Sequence, residues 1–302
     1  MATPRLPARD HPAGARRKPA GTLYVVATPI GNLADLSARA HETLAAADHI
    51  LAEDTRRART LLSHIGVATR PMSLHAHNEA ARISLARRWL ATGDHVALVS
   101  DAGTPLLSDP GERLARAAIE DGHDIVPIPG PSAILAGLVA SGLPPVPFTF
   151  LGFPPRRGAR RARALERIVG ATETTVLFES ARRLAGLLGE LAAFPKANGG
   201  RRRIAVCREM TKVHEEVFRG TLAEGARHFV EHPPLGEVTV VVEGCPGVGG
   251  EAAAAAAEAL AGDALEAGLS PTAAAREVAA RSGVSRSAAY EAVMRVKGGR
   301  DD

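Results

Sequence analysis

Aromatic residues are scarce in this chain: one Trp, two Tyr and seven Phe among 302 residues. So few rings leave little of the stacking surface on which many single-strand nucleic-acid binders rely. Ala, Leu and Val must therefore fill the interior. Cysteine is scarcer still. Cys207 and Cys245 are the only two; they match no zinc-ligand spacing and form no disulfide framework, which fits a reducing cytoplasm. Nothing approaches a membrane span in length. The first twenty residues lack the apolar centre of a secretory signal, and Pro4, Pro7, Pro12 and Pro19 oppose an amphipathic transit helix. Residues 1–20 read as a disordered basic tail able to brush RNA. Neither sign of charge dominates, with 37 Lys and Arg against 33 Asp and Glu. The net +4 is a modest bias toward polyanionic partners.

Hydrophobic residues make up 45% of the chain, enough for two ordinary domains and a small appendage. From Gly21 onward, short apolar runs alternate with helical patterns, which predicts a largely parallel sheet covered on both faces. Strands are expected at 23–27, 49–52, 72–76, 96–100 and 125–128. Helices are expected from Asn32, with Asp35 completing a capping pair, and over 55–64, 79–91 and 110–121. In the first helix Leu33, Leu36, Ala40, Leu44 and Ala47 would form one buried face. These elements make a first α/β domain, 21–142. The Pro-rich segment 142–147 reads as a stiff link.

A second α/β domain, 147–244, is expected to carry strands at 148–153, 175–178, 204–208, 216–219 and 238–243. The last is apolar and β-branched, so it should lie centrally. The glycine cluster 247–250 has the wrong spacing for a dinucleotide fingerprint and reads as linker. Residues 251–298 predict a helical tail, with Ser270-Pro271 as a helix start and a turn at Gly283. Val278, Val284, Ala289, Val293 and Val296 would form its seam. The tail is either a helix-turn-helix or a plain helical hairpin packed on the body.

Four loops follow strands and combine Gly or Pro with polar residues, the pattern of ligand crevices at the carboxyl ends of strands. They are Ala27-Thr-Pro-Ile-Gly-Asn-Leu33, Ser100-Asp-Ala-Gly-Thr-Pro105 running on to Ser108-Asp-Pro-Gly111, Pro127-Ile-Pro-Gly-Pro-Ser-Ala133, and Phe178-Glu-Ser180. Further blocks are Ala52-Glu-Asp-Thr-Arg56, Leu74-His-Ala-His-Asn-Glu79, Leu151-Gly-Phe153 and Arg208-Glu-Met-Thr-Lys212. In this order they resemble the small-subunit rRNA 2′-O-ribose methyltransferase I family, the RNA-modifying branch of the tetrapyrrole methylases. The resemblance spans nearly all of 21–244, and the tail is similar to that family's C-terminal module. The chain departs from the pattern in having Phe178-Glu without an intervening tyrosine, and Pro233-Pro234 before Gly236.

The resemblance implies two α/β domains with S-adenosylmethionine in the cleft between them, a homodimer, and methylation of a cytidine ribose in the decoding region of small-subunit rRNA. The substrate would be free rRNA or the assembled small subunit. Carried over by position, Pro29, Asp101, Gly103, Thr104, Ser132 and Ala133 would contact the cofactor from the first domain. Phe178 and Gly236-Glu237-Val238 would close over it from the second. Asp101 serves either as a ligand or as a helix cap.

A ribose hydroxyl is very weakly acidic, so a base or a polarising cation should help. Candidates are Glu53, Asp54, Arg56, His75, His77, Asn78, Glu209 and Lys212. Asp54 could instead cap a helix, and Lys212 could polarise the ribose oxygen or hold a phosphate. His75 and His77 would share one strand face. Without further ligands they suit substrate contact or packing better than metal binding. The runs Arg156–Arg163 and Arg201–Arg203 are either a phosphate grip or solvated charge. Two other functions compete: a tetrapyrrole methylase acting on a precorrin-type small molecule, and a helix-turn-helix regulator of DNA.

Overall fold

The structure is a computed structural model that describes residues 21–75, 77–194, 197, 201–245, 250–282 and 284–298. The expected basic tail, most of the 247–250 cluster and the Gly283 turn lie outside the described residues.

The first half runs β1 (Thr22–Val26), a 3-10 turn (Leu33–Asp35), α1 (Ala38–Ala46), β2 (His49–Ala52), α2 (Thr55–His64) and β3 (Met72–Ser73). It continues with α3 (Glu79–Thr92), β4 (Val96–Val99), α4 (Glu112–Glu120), β5 (Asp124–Ile128) and α5 (Ala133–Ser141). All its strands pair in parallel, in the order β3-β2-β4-β1-β5. Side chains of β4 alternate between faces, as strand geometry requires. Ala97 and Val99 join Leu44 and Leu62 from α1 and α2, while Val96 and Leu98 join Leu90 and Leu114 from α3 and α4. Each such buried Leu or Val side chain stabilises the fold by about 1.5–3 kcal/mol.

The second half runs β6 (Phe148–Phe150), α6 (Ala159–Gly170), β7 (Thr174–Ser180), α7 (Ala181–Ala192), β8 (Arg203–Arg208), β9 (Glu216–Thr221), α8 (Leu222–Glu231) and β10 (Glu237–Val242). Its order is β6-β7-β10-β8-β9, with β10 central as its composition predicts. Only β6 and β7 are parallel; every other pairing is antiparallel. Helices α6, α7 and α8 bury one face. Ile134 and Leu138 of α5 cover the other, against Val176, Ala205 and Val241. So the helix that precedes the Pro-rich link packs on the second sheet.

Three helices close the chain: α9 (Gly250–Glu266), α10 (Pro271–Ser282) and α11 (Arg286–Gly298). They share a core of Ala257, Ala261, Val278, Ala289 and Val293, with Val284 and Val296 packed against it. The predicted seam is therefore present.

Three local expectations are corrected. The helix expected from Asn32 is a single 3-10 turn, because the Asn32 side chain accepts from Ala34 N and Leu36 turns extended; α1 begins only after Ser37 caps it. Leu33 is consequently exposed rather than part of the buried stripe. The strand expected over 72–76 stops at Ser73. Asn78 takes its place there: its side chain accepts from His75 N and donates to the Ser73 carbonyl, curling the chain into a turn.

Candidate active site

Because the first sheet is parallel, the chain leaves β1, β2, β4 and β5 at one common edge. The exiting loops are stitched together there. Thr28 and Gly103 exchange backbone hydrogen bonds of 2.8 and 3.0 Å, and the Thr104 hydroxyl donates to the Pro131 carbonyl at 3.3 Å. Ser132 caps α5, so the positive end of that helix faces the same edge.

The second sheet meets this edge with the ends of β7 and β8 and the start of β10, which adjoin because β10 runs antiparallel to both. Between the halves lies a cavity of about 450 Å³. It is within the size range of small-molecule sites. Ile30 from the first half packs beneath it on Cys207 and Met210 from the second.

Of the residues expected to bind cofactor, Asp101, Gly103, Thr104, Ser132, Ala133, Phe178, Glu237 and Val238 all line this cavity. Pro29 lines a neighbouring one instead. Asp101 does not cap a helix: its carboxylate accepts the Asp54 N–H at 2.9 Å and lies 3.6 Å from Arg57. Phe178 meets Phe150 and Phe153 edge-on or tilted, at 5.0 and 5.4 Å between ring centres.

Among the expected catalytic residues, Glu53 and Lys212 line the cavity, with Glu209 beside them. Asp54, Arg56, His77 and Asn78 do not. Asp54 caps α2 and pairs with the highly exposed Arg56 at 2.9 Å. Those hydrogen bonds from Arg56 hold the Asp54 carboxyl down at about 2. His77 is exposed, and its ring meets His75 edge-on at 6.0 Å from the turn, not from a shared strand face. Asn78 is occupied in holding that turn.

Sequence reasoning missed Arg57, Asp109 and Glu179, which also line the cavity. Asp109 lay in plain view in Ser108-Asp-Pro-Gly111. Arg57 adjoins Arg56 in sequence, and one helical step of rotation decides which of them faces the cleft.

The electrostatics divide the cavity in two. On the first-half side, burial pushes the Glu53 carboxyl up, aided by the charges of Asp101, Asp109 and Asp54 and opposed by Arg57. Burial likewise raises Asp109 to about 6, against a hydrogen bond from Ser100 and with the repulsion of Asp101. Facing them, the Lys212 ammonium donates to Glu209 at 3.0 Å and Glu237 at 3.2 Å. Burial alone would lower its pKa, but these carboxylates outweigh that and raise it. Lys212 is thus a held cation, not a base.

Strain concentrates at the same place. Among the described residues, the non-glycine residues with positive φ are Leu106, Ser108, Glu209 and Thr211, on the two loops flanking the cavity. Such conformations cost about 1–3 kcal/mol each and persist where the surroundings impose them. Two glycines permit close approaches here, Gly31 between the halves and Gly236 within the second. A side chain at Gly31 would strike Lys212, and one at Gly236 (φ 89°) would strike Glu209. Asn32 N donates to the Thr211 hydroxyl at 3.0 Å across the same contact.

Residues 22–226 match the family model of tetrapyrrole (corrin/porphyrin) methylases. The chain is 50% identical over 221 residues to ribosomal RNA small subunit methyltransferase I of Mesorhizobium japonicum, covering 73% of this chain and 74% of that protein. It belongs to the ribosomal RNA small subunit methyltransferase I family. Like the other members, it is a methyltransferase. The member from Thermotoga maritima is 42% identical over 224 residues, which take up 99% of that protein and 74% of this chain. About a quarter of this chain therefore has no counterpart there. Among solved structures, diphthine synthase superposes with a TM-score of 0.57 at 17% identity, covering 74% of this chain and 90% of that one. Uroporphyrin-III-C-methyltransferase of Thermus thermophilus gives 0.52 at 22%, covering 73% and 94%. These two share the fold with this methyltransferase I family member.

Proposed function

We propose that this chain transfers a methyl group from S-adenosylmethionine to the ribose 2′-oxygen of a cytidine in the decoding region of small-subunit rRNA. The observation that carries the reading is the two-sided cleft, with carboxylates on one wall and a held lysine on the other, in a chain whose relatives are named for rRNA methylation.

The residues present fit the cofactor. Gly103, with φ 79°, leaves the backbone open beside Ile30, and Ala133 adds little bulk. The α5 N-terminus suits the methionine carboxylate, while Asp101 and Glu237 can accept hydrogen bonds from the ammonium and ribose hydroxyls. When bound, S-adenosylmethionine supplies a sulfonium-activated methyl group. Glu53 would take the 2′-hydroxyl proton as the ribose oxygen accepts that methyl group. Its raised pKa places it closer to working pH, where a base is most effective. Lys212, locked between Glu209 and Glu237, holds the second wall in position and presents a positive charge to the substrate.

Division at the 142–147 link into a cofactor-and-substrate domain (21–142) and a covering domain (147–244), with the helical tail following at 251–298, is part of this reading. RNA grip comes from the exposed Arg156, Arg157, Arg160 and Arg163. Arg161 and Arg202 are not available for it. Arg161 is buried in a bidentate pair with Glu190, and Arg202 donates to carbonyls in the last turn of α6. The outer face of α5, with Leu135 54% and Val139 80% exposed, suits a homodimer contact. No described helix is long and apolar enough to cross a membrane, and an rRNA substrate places the enzyme in the cytoplasm.

The test supplies radiolabelled S-adenosylmethionine with unmodified small subunits, free rRNA and a precorrin. Label expected in rRNA, at a linkage resistant to alkali, supports ribose methylation. Label in the precorrin alone overturns it.

A further inference from the structure

Beside the cleft lies a second cavity of about 260 Å³, under the loop that follows β1 and against α1 and α2. Its inner walls are the buried Leu44, Leu62 and Val99. Thr60 and Leu33 stand exposed at its rim. Arg57 and Asp101 line both cavities, so the two spaces share one wall. The reaction needs two ligands meeting at one point, and the larger cavity is the size for the methyl donor. The smaller falls below the roughly 300–1,000 Å³ that accommodates a drug-sized molecule, which suits a fragment such as one nucleobase.

Its chemistry is that of a base site. A nucleobase has apolar faces and an edge of donors and acceptors, and the cavity offers aliphatic walls with a guanidinium and a carboxylate at its junction with the cleft. Arg57, which lines both spaces, can donate to a ring acceptor of the base on the side that joins the ribose. Charge outside the cavity agrees. Arg56 and Arg59 stand exposed on the first turns of α2, the helix that lines the cavity through Arg57, Ala58 and Thr60, and would suit phosphates flanking an extruded nucleotide. Enzymes that work on one nucleotide within folded nucleic acid extrude it into such a pocket, which is cheapest where it is already unpaired.

We propose that this second cavity receives the base of the target ribonucleotide, which sets its ribose at the Arg57–Asp101 wall beside the methyl donor. The inference rests on the rRNA-methylating reading above and adds the place where the acceptor sits. It also gives Pro29, which does not line the larger cavity, a role against the base.

The experiment compares Thr60→Trp, which fills the mouth from an exposed helix position, with Thr60→Ser, which leaves it open. Methyl transfer to unmodified small subunits and calorimetric S-adenosylmethionine binding are both measured. Thr60→Trp is expected to lower kcat/KM for subunits about a hundredfold while donor affinity stays within about threefold, and Thr60→Ser to remain near wild type. Leu33→Trp, which fills the rim from the loop after β1, should reproduce the loss and guards against a folding defect at position 60. Wild-type turnover in both tryptophan variants overturns the base site and leaves the rRNA reading standing. Absence of rRNA labelling by the unsubstituted enzyme overturns both.

Discussion

The two sheets reach the cleft in different ways. The first is wholly parallel, so its loops leave in the same direction and several carboxylates arrive together: Glu53 after β2, Asp101 and Asp109 after β4. The second is mostly antiparallel and meets the cleft with alternating strand ends, bringing the Glu209–Lys212 loop against Gly236 and Glu237. Its contributions are tied to one another: Glu209 accepts from both Lys212 and Glu237 N, the latter at 2.9 Å. The parallel side gathers carboxylates, and burial raises the pKa of Glu53 and Asp109 among them. On the antiparallel side Glu209, Lys212 and Glu237 are bonded to one another. On this comparison the proposed proton transfer belongs to the first sheet and the proposed holding of the substrate to the second.

Substitutions can break that division. The largest effect is expected for Glu53→Gln: a fall in kcat of about a hundredfold to a thousandfold, with S-adenosylmethionine affinity nearly unchanged by calorimetry. A variant that loses affinity but keeps its kcat would reverse the roles of the two walls. Next comes Gly236→Ala. Its methyl group would strike Glu209 from a left-handed backbone, freeing Lys212 and weakening donor binding about tenfold to thirtyfold. An effect confined to kcat would show that this wall takes part in chemistry.

The smallest effect sharpens the comparison through pH. Asp109 has a folded pKa of about 6, above its ordinary value. The raised value means that the contribution of Asp109 to stability is fullest below its unfolded pKa and is lost as pH rises through 6. Asp109→Asn removes that penalty, so Tm should rise by a few degrees at pH 8 and by less at pH 5. It also removes a charge that raises Glu53, while Asp101, Asp54 and Arg57 still face that carboxyl. The acid limb of the kcat/KM profile should therefore move to lower pH. Equal Tm shifts at the two pH values would show that the Asp109 charge carries no such cost.

What could be read from sequence follows the range of the forces involved. The parallel first half was legible because hydrophobic alternation and loop chemistry are local signals; α2, expected at 55–64, forms as Thr55–His64. Strand β3 was overestimated because one side chain, Asn78, captures the backbone that would have extended it. The antiparallel order of the second sheet was not legible, since it depends on pairing between strands far apart in the chain. Most cofactor positions came from the resemblance and gather at the cleft. Arginine runs misled in part, because Arg161 and Arg202 look like their neighbours in sequence and differ only in what they are packed against.

Helix α5 is encoded with the first half and buried against the second. Translation follows the chain from the amino end, so the first sheet can pair as it emerges while Ile134 and Leu138 still have no sheet to cover. They must remain open to water, or to a chaperone, until β7, β8 and β10 have left the ribosome. The site-forming cap at Ser132 is therefore seated late, and a nascent chain halted at the Pro-rich link would carry the first sheet without a working cleft.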